Sequence, residues 1–267
     1  MKRTLIMIVA LLAAAAALPA QPGFDQAKPL WDNHGDRTSL MSAIDIYAKA
    51  YETAPSYALA ERLAYAYYFL ADAFEQGDQK ARDYHTGYEW GIKALCFDPG
   101  FKQRFVDQKQ GMGDAIKGVP KEFEGAIFWT ATCIGKWGKM QGIFKVMSTS
   151  KQARKMVEYL YGLDKTYYYG GPARWLGAYY AIAPGIAGGD MEKSAKYYGE
   201  ALTIAPQYFA TKVLMAENYY AKLKDRVNYD KMLDDVINGS LKALPEVAIE
   251  QRVEQGKALR MKAEKID

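Results

Sequence analysis

The sequence predicts an all-α protein in which helical hairpins of the tetratricopeptide-repeat type stack into a compact, curved bundle. Apolar residues recur at intervals of three and four over long windows, which is the helical period, and nothing reads as a ladder of strands. Two short motifs, one for each helix of such a hairpin, recur along the chain. The composition, 50% hydrophobic and 25% charged, permits a sizeable core.

The N-terminal segment has the features of a secretory signal peptide. Lys2 and Arg3 precede an unbroken apolar run over residues 5–18, and small residues follow it. This run is shorter than the about 20 residues that a membrane-spanning helix needs. We therefore expect cleavage after Ala20 or after Ala17, with an uncleaved anchor as the alternative, and a periplasmic location for the mature chain.

The chain is interpreted as three parts. We assign residues 1–20 to the signal peptide, 21–36 to an N-terminal linker and 37–267 to a single α-helical domain. The formal net charge is +4, and basic residues alternate with acidic ones along the chain. Such a weak, dispersed charge argues against a nucleic-acid-binding protein.

The first three predicted helices cover residues 39–51, 58–74 and 83–97. In the first, Leu40 and Tyr47 belong to one helical face of apolar side chains. The second is apolar on most faces, which is typical of a helix buried between neighbours. The third keeps the same period, so all three are expected to pack side by side.

The middle of the domain is less regular. Residues 100–118 are weakly patterned and predict a loop or a short helix. Residues 121–147 predict a long helix that is rich in aromatic side chains, and glycines such as Gly142 predict that it bends or breaks. A further helix is predicted over residues 151–163.

The last part of the domain predicts five more helices. Asp190 is a suitable N-cap for the second of them. The final helix is charged on all sides toward its end, where we expect fraying. The predicted ranges are 174–183, 191–204, 209–224, 228–237 and 247–265.

Two recurring motifs support the hairpin architecture. The second-helix motif has small residues, an aromatic residue or glycine, and a proline at offsets of four, three and five, so that a partner helix approaches closely and proline ends the helix. It occurs at Ala43-Tyr47-Ala50-Pro55, Gly87-Gly91-Ala94-Pro99 and Ser194-Tyr198-Ala201-Pro206. The first-helix motif occurs at Leu63-Ala64-Tyr67, Leu176-Gly177-Tyr180 and Met215-Ala216-Tyr219.

The segment YYYGGPARWLGAYYA, residues 167–181, contains the most obvious backbone break of the chain. Gly170 and Gly171 permit positive φ, and Pro172 is favoured in the first turn of a helix. Arg174 also lies in that first turn, where the positive end of the helix dipole disfavours a cation. It therefore needs a carboxylate on another helix or an anionic ligand, and the sequence leaves both open.

The aromatic residues around this break are the candidates for a ligand-binding surface. Trp175 and Tyr179 share one helix face, while Leu176 and Tyr180 share another. One pair is expected in the core, which leaves the other to line a groove. The predicted ligand-binding residues are Trp129, Tyr168, Tyr169, Gly170, Gly171, Pro172, Arg174, Trp175 and Tyr179.

No motif of catalysis, metal binding or cofactor binding is present. The chain lacks HExxH, CxxC, GxSxG and a phosphate-binding loop, and His34 and His85 are too isolated for a metal site. We therefore expect a protein that is not an enzyme and needs no cofactor. Cys96 and Cys133 are either small core residues or, after export, a disulfide.

Several segments resemble the T component of tripartite ATP-independent periplasmic (TRAP) transporters. YYYGGPARWLGAYY at 167–180 is similar to the family's GGP-x-R-x-LG signature, and AIFWTATCIGKW at 126–137 to its aromatic helix. Residues 211–233 resemble a late helix of the family, and the resemblance spans about 37–240. The family is often lipid-anchored, whereas this sequence lacks the lipobox cysteine.

The resemblance implies a periplasmic accessory that works beside a substrate-binding P component and a membrane permease. It implies a small organic or hydrophobic ligand, the P component, or both, as what the aromatic-lined concavity binds. The alternative is a repeat protein that acts only as a protein–protein interaction scaffold. Tyrosine, with 21 residues, is abundant enough to favour self-association, so a homo-oligomer is a further expectation.

Overall fold

The computed structural model describes residues 22–264 of the chain, and within that range it contains helices, turns and no strand. The predicted all-α class is confirmed. The predicted signal peptide lies outside the described residues. The helices are α1 (Pro22–Trp31), α2 (Arg37–Thr53), α3 (Tyr57–Phe74), α4 (Gly77–Leu95), α5 (Pro99–Lys102), α6 (Met112–Ala115), α7 (Glu124–Met140), α8 (Ile143–Leu163), α9 (Tyr167–Ile182), α10 (Met191–Ile204), α11 (Phe209–Met215), α12 (Ala221–Leu223), α13 (Arg226–Ile237) and α14 (Ala248–Ala263).

Residues 21–36 were interpreted as a linker, and this interpretation was wrong, because most of them form the helix α1. Phe24, Ala27 and Trp31 recur at helical spacing and pack against α2 and α3. The ring of Phe24 lies 5.3 Å from the ring of Tyr47 on α2. The N-terminal segment therefore contributes to the core.

The predicted break in the long aromatic helix occurs at Gly142. This residue has φ 91°, a positive value that glycine adopts without steric cost, and it separates α7 from α8. The prediction of a separate helix over residues 151–163 was too short, since α8 extends back to Ile143.

Residues of the first-helix motif contact residues of the second-helix motif where the paired helices pack together. The hairpin interpretation requires such contacts. A Cβ on Gly177 of α9 would lie 2.9 Å from the ring of Tyr198 on α10, so glycine is needed for this close approach. Ser194 Oγ donates a hydrogen bond of 2.8 Å to the Gly177 carbonyl. In α4, a Cβ on Gly87 would lie 3.2 Å from the Ala64 carbonyl of α3. Small residues therefore bring both pairs together.

Two of the helical segments are of the π type. Residues Gln103–Asp107 and Ala216–Tyr220 are π-helical turns, each of which accommodates one extra residue in a helix. The first lies in the weakly patterned stretch over 100–118. The second divides the helix predicted over 209–224 into α11 and α12.

The C-terminal helix α14 joins two distant parts of the described chain, α3 and α11. Gln251 accepts a hydrogen bond from the Phe209 backbone N–H and donates one to the Gln207 carbonyl, which joins α14 to the start of α11. Lys257 donates to Asp72 at the end of α3. Polar side chains of this helix, including the charged Lys257, therefore make internal contacts.

Two features bear on the nature of the bundle. Within the described range, no helix combines the length and the apolar character needed to cross a bilayer. Cys96 and Cys133 are both free thiols, and burial raises the pKa of the Cys133 thiol well above its ordinary value. Cys133 is therefore a small core residue, which is one of the two alternatives that the sequence left open.

Candidate functional site

The start of α9 is a left-handed turn of three consecutive residues. Tyr168, Tyr169 and Gly170 have φ values of 43°, 59° and 72°. Glycine adopts this region freely, whereas a residue with a side chain is strained there by about 1–2 kcal/mol. Two adjacent strained tyrosines need compensation from the surrounding structure, and backbone strain of this kind is concentrated at functional sites.

Arg174 supplies part of that compensation from one turn further along α9. Its guanidinium is buried, and it donates hydrogen bonds of 3.0 Å to the Tyr169 carbonyl and 3.4 Å to the Tyr168 carbonyl. It also lies over the ring of Tyr208, 4.6 Å from the centroid. The partner predicted for this arginine was a carboxylate or an anionic ligand. The structure replaces the carboxylate with two backbone carbonyls that the left-handed turn directs toward the guanidinium.

Gly171 and Pro172 complete the turn for two separate reasons. A Cβ on Gly171 would lie 2.9 Å from the ring of Phe128, so this position requires glycine for space. Pro172 is buried two residues after the last left-handed residue, where its fixed φ suits the first turn of the right-handed helix. Proline has its predicted place in the first helical turn. Of the two glycines, only Gly170 has the predicted positive φ, and Gly171 does not.

Aromatic rings from several helices surround the turn. The Tyr168 ring contacts the Trp129 ring at 4.8 Å and the Tyr208 ring at 5.9 Å. Trp129 also stacks on Tyr65 of α3 at 4.4 Å. The rings of Tyr169 and Tyr208 are stacked at 4.8 Å. We call Tyr65, Trp129, Tyr168, Tyr169 and Tyr208 the aromatic cluster.

A chain of hydrogen bonds connects the cluster to α14 and to the turn between α1 and α2. The Tyr65 and Tyr168 hydroxyls lie 3.2 Å apart, and the Tyr65 hydroxyl donates to Glu250 Oε1. The same oxygen is 3.1 Å from His34 Nε2, while His34 Nδ1 is 2.6 Å from the Trp31 carbonyl. Both ring nitrogens of His34 therefore lie within hydrogen-bond distance of an oxygen atom.

Burial and hydrogen bonding set the protonation states of the cluster. Burial raises the pKa of the Tyr65 and Tyr168 hydroxyls well above their ordinary values. Burial raises the pKa of Tyr208 to about 12. Burial also acts to raise the pKa of Glu250, but hydrogen bonds from His34 and Tyr65 outweigh it, and the pKa lies below its ordinary value. At neutral pH the site therefore presents neutral phenols, and the Tyr65 and Tyr169 hydroxyls each donate to a carboxylate, that of Glu250 and that of Glu246.

A cleft of about 330 Å³ opens beside this hydrogen-bond chain. Its apolar lining comes from Trp31, Pro245, Ala248 and Ile249, and its polar lining from Asp32, His34, Glu246 and Glu250. The Tyr169 hydroxyl donates a hydrogen bond of 2.5 Å to Glu246, so the strained turn is joined to the rim of the cleft. Apolar and polar residues thus contribute equally to the lining, and a concave site that combines apolar surface with placed polar groups is the usual form of a small-molecule site.

Trp175 and Tyr179 lie elsewhere among the predicted site residues. Their rings stack on each other at 5.8 Å, and Arg154 of α8 lies over Tyr179 at 5.5 Å from the centroid. The Tyr179 hydroxyl donates to the Ala187 carbonyl in the loop after α9. The structure thus brings together Trp129, Tyr168, Tyr169, Gly170, Gly171, Pro172 and Arg174, and directs the Trp175–Tyr179 pair toward α8.

Sequence reasoning missed the residues that α3, α14 and the α1–α2 turn contribute. Tyr65 lies directly after the Leu63-Ala64 motif, so an extra ring beside a repeat motif was the available signal. His34 and Glu250 are 216 residues apart, and no local pattern connects them. Tyr208 follows a helix-ending proline, which indicates a turn but not its neighbours.

No cluster of three or more potential metal ligands exists within the described residues. The hydroxyls of the cluster have raised pKa values, which is the opposite of an activated nucleophile.

The family model of the TRAP transporter T-component matches residues 46–267. A search of curated proteins finds no match. The matched range includes the left-handed turn, Arg174 and α14, while α1 and His34 precede it. This family is a transporter component and not an enzyme family. The chain belongs to the TRAP transporter T-component family, and its role is that of an accessory to a TRAP transporter.

Proposed function

We propose that this protein is a periplasmic T component that holds a small organic or hydrophobic molecule in the cleft beside the aromatic cluster and exchanges it with the P component. The observation that carries the proposal is the connection between the strained Tyr168–Gly170 turn and the cleft rim through Tyr169 and Glu246. Strain kept at a cleft is consistent with a preorganised binding site.

The chemistry of the cleft supports a ligand with an apolar body. Trp31, Pro245 and Ile249 offer apolar surface, and burying a side-chain-sized apolar group contributes about 1.5–3 kcal/mol. Arg174 acts in this proposal as a positioning residue, because its donors are directed at the carbonyls of the turn. This differs from the direct contact with an acidic ligand that was considered for Arg174.

The test is native mass spectrometry of the protein purified from its own cells, with an Ala248→Phe variant that fills the cleft. The wild type is expected to retain a small molecule that is lost from the variant. Ala54→Phe, at an exposed position after α2, is the matched control and is expected to retain it. Wild-type protein that carries no molecule would contradict the ligand part of the proposal.

A second measurement addresses the P component. Binding of the purified P component from the same transport system is followed by biolayer interferometry with wild type and Ala248→Phe. Binding that requires the open cleft supports exchange at this site. Binding that is unaffected by Ala248→Phe, together with no retained molecule, would identify the protein as an interaction scaffold.

A further inference from the structure

The turn between α7 and α8 lies in a basic part of the chain. Residues 125–157 contain six lysines and arginines and no aspartate or glutamate, which departs from the alternation of charge expected from the whole sequence. Three of the six are paired with carboxylates: Lys136 with Asp72, Arg154 with Glu158 and Lys155 with Asp114.

The other three basic residues are Lys139, Lys145 and Lys151. All three are exposed, and within the described part of the chain none has a carboxylate oxygen within 4.0 Å. Lys145 lies over the ring of Trp137, with Nζ 5.0 Å from its centroid, so an aromatic side chain is its partner. These cations are therefore available to an anion outside the molecule.

Exposed methionines lie among these lysines. Met140 and Met147 are 40% and 45% exposed, one on each side of the Gly142 break. We call Lys139, Met140, Lys145, Met147 and Lys151 the basic tip. It combines uncompensated positive charge with flexible apolar side chains, and Gly142 has open space around it.

The ends of α9 and α12 lie at the same end of the bundle as the basic tip. Gly135 of α7 faces Trp175 of α9, and Phe128 of α7 faces Gly171 of α9, so the two helices run in the same direction. Lys222 Nζ donates a hydrogen bond of 2.6 Å to the Ala181 carbonyl, which places α12 against the end of α9. The C-terminal ends of all three helices are therefore directed to one side.

This end of the bundle also exposes apolar side chains from the loop after α9 and from the turn between α12 and α13. Ile186 is 94% exposed in the loop after α9, and Val227 is 79% exposed at the start of α13. Ile182 and Leu223 are 44% and 48% exposed at the ends of α9 and α12. Lys222 and Lys224 lie beside Leu223 in the sequence. The combination of projecting apolar side chains and lysines thus extends beyond the basic tip.

We propose that this end of the bundle docks on an anionic lipid surface. Lysines are attracted by the negative potential of anionic phospholipids, and projecting apolar side chains enter the headgroup region. The charge is complementary, since none of the three free lysines of the tip has a carboxylate oxygen of the described residues within 4.0 Å. Such docking would hold this end of the bundle at the membrane surface.

The form of the surface favours a bilayer over an acidic protein. The apolar side chains project separately from three turns and do not line a common groove among the described pockets. A protein partner would need a matching pocket for each, whereas a fluid interface accepts each one independently. An acidic protein remains the outcome that would overturn the proposal.

Vesicle sedimentation with the mature chain tests the proposal. The probes are vesicles of phosphatidylcholine alone and of phosphatidylcholine with 30% phosphatidylglycerol. A Lys139→Glu/Lys145→Glu variant reverses the charge of the tip, and Met140→Ser/Met147→Ser removes its apolar part. Lys49→Glu/Lys242→Glu makes the same charge change at two exposed positions on other helical segments and is the matched control. Circular dichroism confirms that each variant is folded.

We expect binding to the anionic vesicles only, weakened by salt. Each lysine near an anionic surface contributes roughly fivefold, so the tip charge reversal should weaken binding by more than about tenfold, and the control by less than about threefold. The methionine variant should also bind more weakly. The proposal would be overturned if the wild type did not bind the anionic vesicles, or if the tip variant and the control lost binding equally. It would also be overturned if the tip variant kept its vesicle binding but lost binding to an acidic protein.

Discussion

Two glycine breaks, at Gly142 and at Gly170, both have positive φ and lie in opposite surroundings. Gly142 has φ 91° and ψ 172°, which is extended, whereas Gly170 has φ 72° and ψ 28°, which is left-handed helical. Apart from its chain neighbours, no atom of the described residues lies within 4 Å of a Cβ built on Gly142, whereas one built on Gly170 would lie 3.3 Å from the Ala201 backbone. The first break makes an exposed basic tip, and the second makes a buried turn with an arginine on its carbonyls. A glycine with positive φ therefore marks each change of chain direction, and its neighbours decide what the change produces.

The cations near the two breaks show the same contrast. Arg174 is buried, and backbone carbonyls and an aromatic ring surround it. Lys139 and Lys145 are exposed beside the other break. A buried cation needs partners inside the protein because its desolvation is costly, while an exposed cation stays solvated and available to an external anion. We therefore expect Arg174 to contribute to stability, and Lys139 and Lys145 to contribute to association.

Arg174→Met should produce the largest loss of stability. It leaves the Tyr168 and Tyr169 carbonyls without their donor in a strained turn, and we expect the free energy of unfolding to fall by about 3 kcal/mol. Urea unfolding measures it. Arg226→Met, which removes an exposed ion pair with Asp230, is the control and should cost less than about 0.5 kcal/mol. Similar losses in both variants would remove the contrast between buried and exposed cations.

Gly171→Ala should be the next largest effect. The new Cβ would lie 2.9 Å from the Phe128 ring, so the aromatic residues must move, and we expect a loss of about 2 kcal/mol. Gly142→Ala meets no atom of the described residues beyond its chain neighbours, so its cost comes from the backbone alone. The conformation with φ 91° and ψ 172° is avoided by residues other than glycine, at roughly 1–3 kcal/mol. Thermal unfolding measures both variants. A loss at Gly171 well below about 2 kcal/mol would mean that the aromatic residues accommodate the new Cβ without cost.

The fold was largely accessible from the sequence because its determinants are local. Helical spacing, small residues at close contacts and helix-ending prolines occur within single segments, and Gly177 against Tyr198 confirms what they predicted. The exception is α1, where the apolar positions of Phe24, Ala27 and Trp31 follow a signal-like segment and were assigned to a linker. Its position directly after the signal-like segment concealed an ordinary amphipathic helix.

The candidate site was accessible only in part, for a physical reason. Gly170-Gly171-Pro172 indicates a break by itself. Tyr168 and Tyr169 adopt left-handed conformations that non-glycine residues avoid, and only tertiary contacts maintain them. The polar chain through His34 and Glu250 joins distant segments, so no periodicity could reveal it.

Tyr65→Phe tests whether the hydrogen bonds that connect Tyr168 to Glu250 through Tyr65 contribute to the stability of the left-handed turn. The variant keeps the ring on Trp129 and removes the hydroxyl between Glu250 and Tyr168, so we expect a loss of about 1.5 kcal/mol in urea unfolding. Because that hydroxyl lowers the pKa of Glu250, the pKa should rise, as followed by carboxyl NMR. Tyr219→Phe, whose hydroxyl has no hydrogen bond to the described residues, is the control. An unchanged Glu250 pKa would show that the Tyr65 hydroxyl does not influence the ionisation of this carboxylate.

Asp164→Asn should give the smallest effect, and its pH dependence is distinctive. Asp164 lies just before α9, where hydrogen bonds from Lys121 and then Thr166 lower its pKa to about 2. A depressed pKa in the folded state contributes stability above the unfolded value of about 4, and this contribution is lost as the pH falls to about 2.

The exposed Lys121 partner limits this contribution to about 1 kcal/mol, after allowance for solvent screening. Urea unfolding of wild type and Asp164→Asn should therefore differ by about that amount at pH 6 and converge toward pH 2. Asp107→Asn, at an exposed position, is the control for loss of a carboxylate. A difference that persists at pH 2 would show that the α8–α9 connection is held by packing and not by the charge of the Asp164 carboxylate, which would leave Arg174 as the charged group that stabilises the buried break.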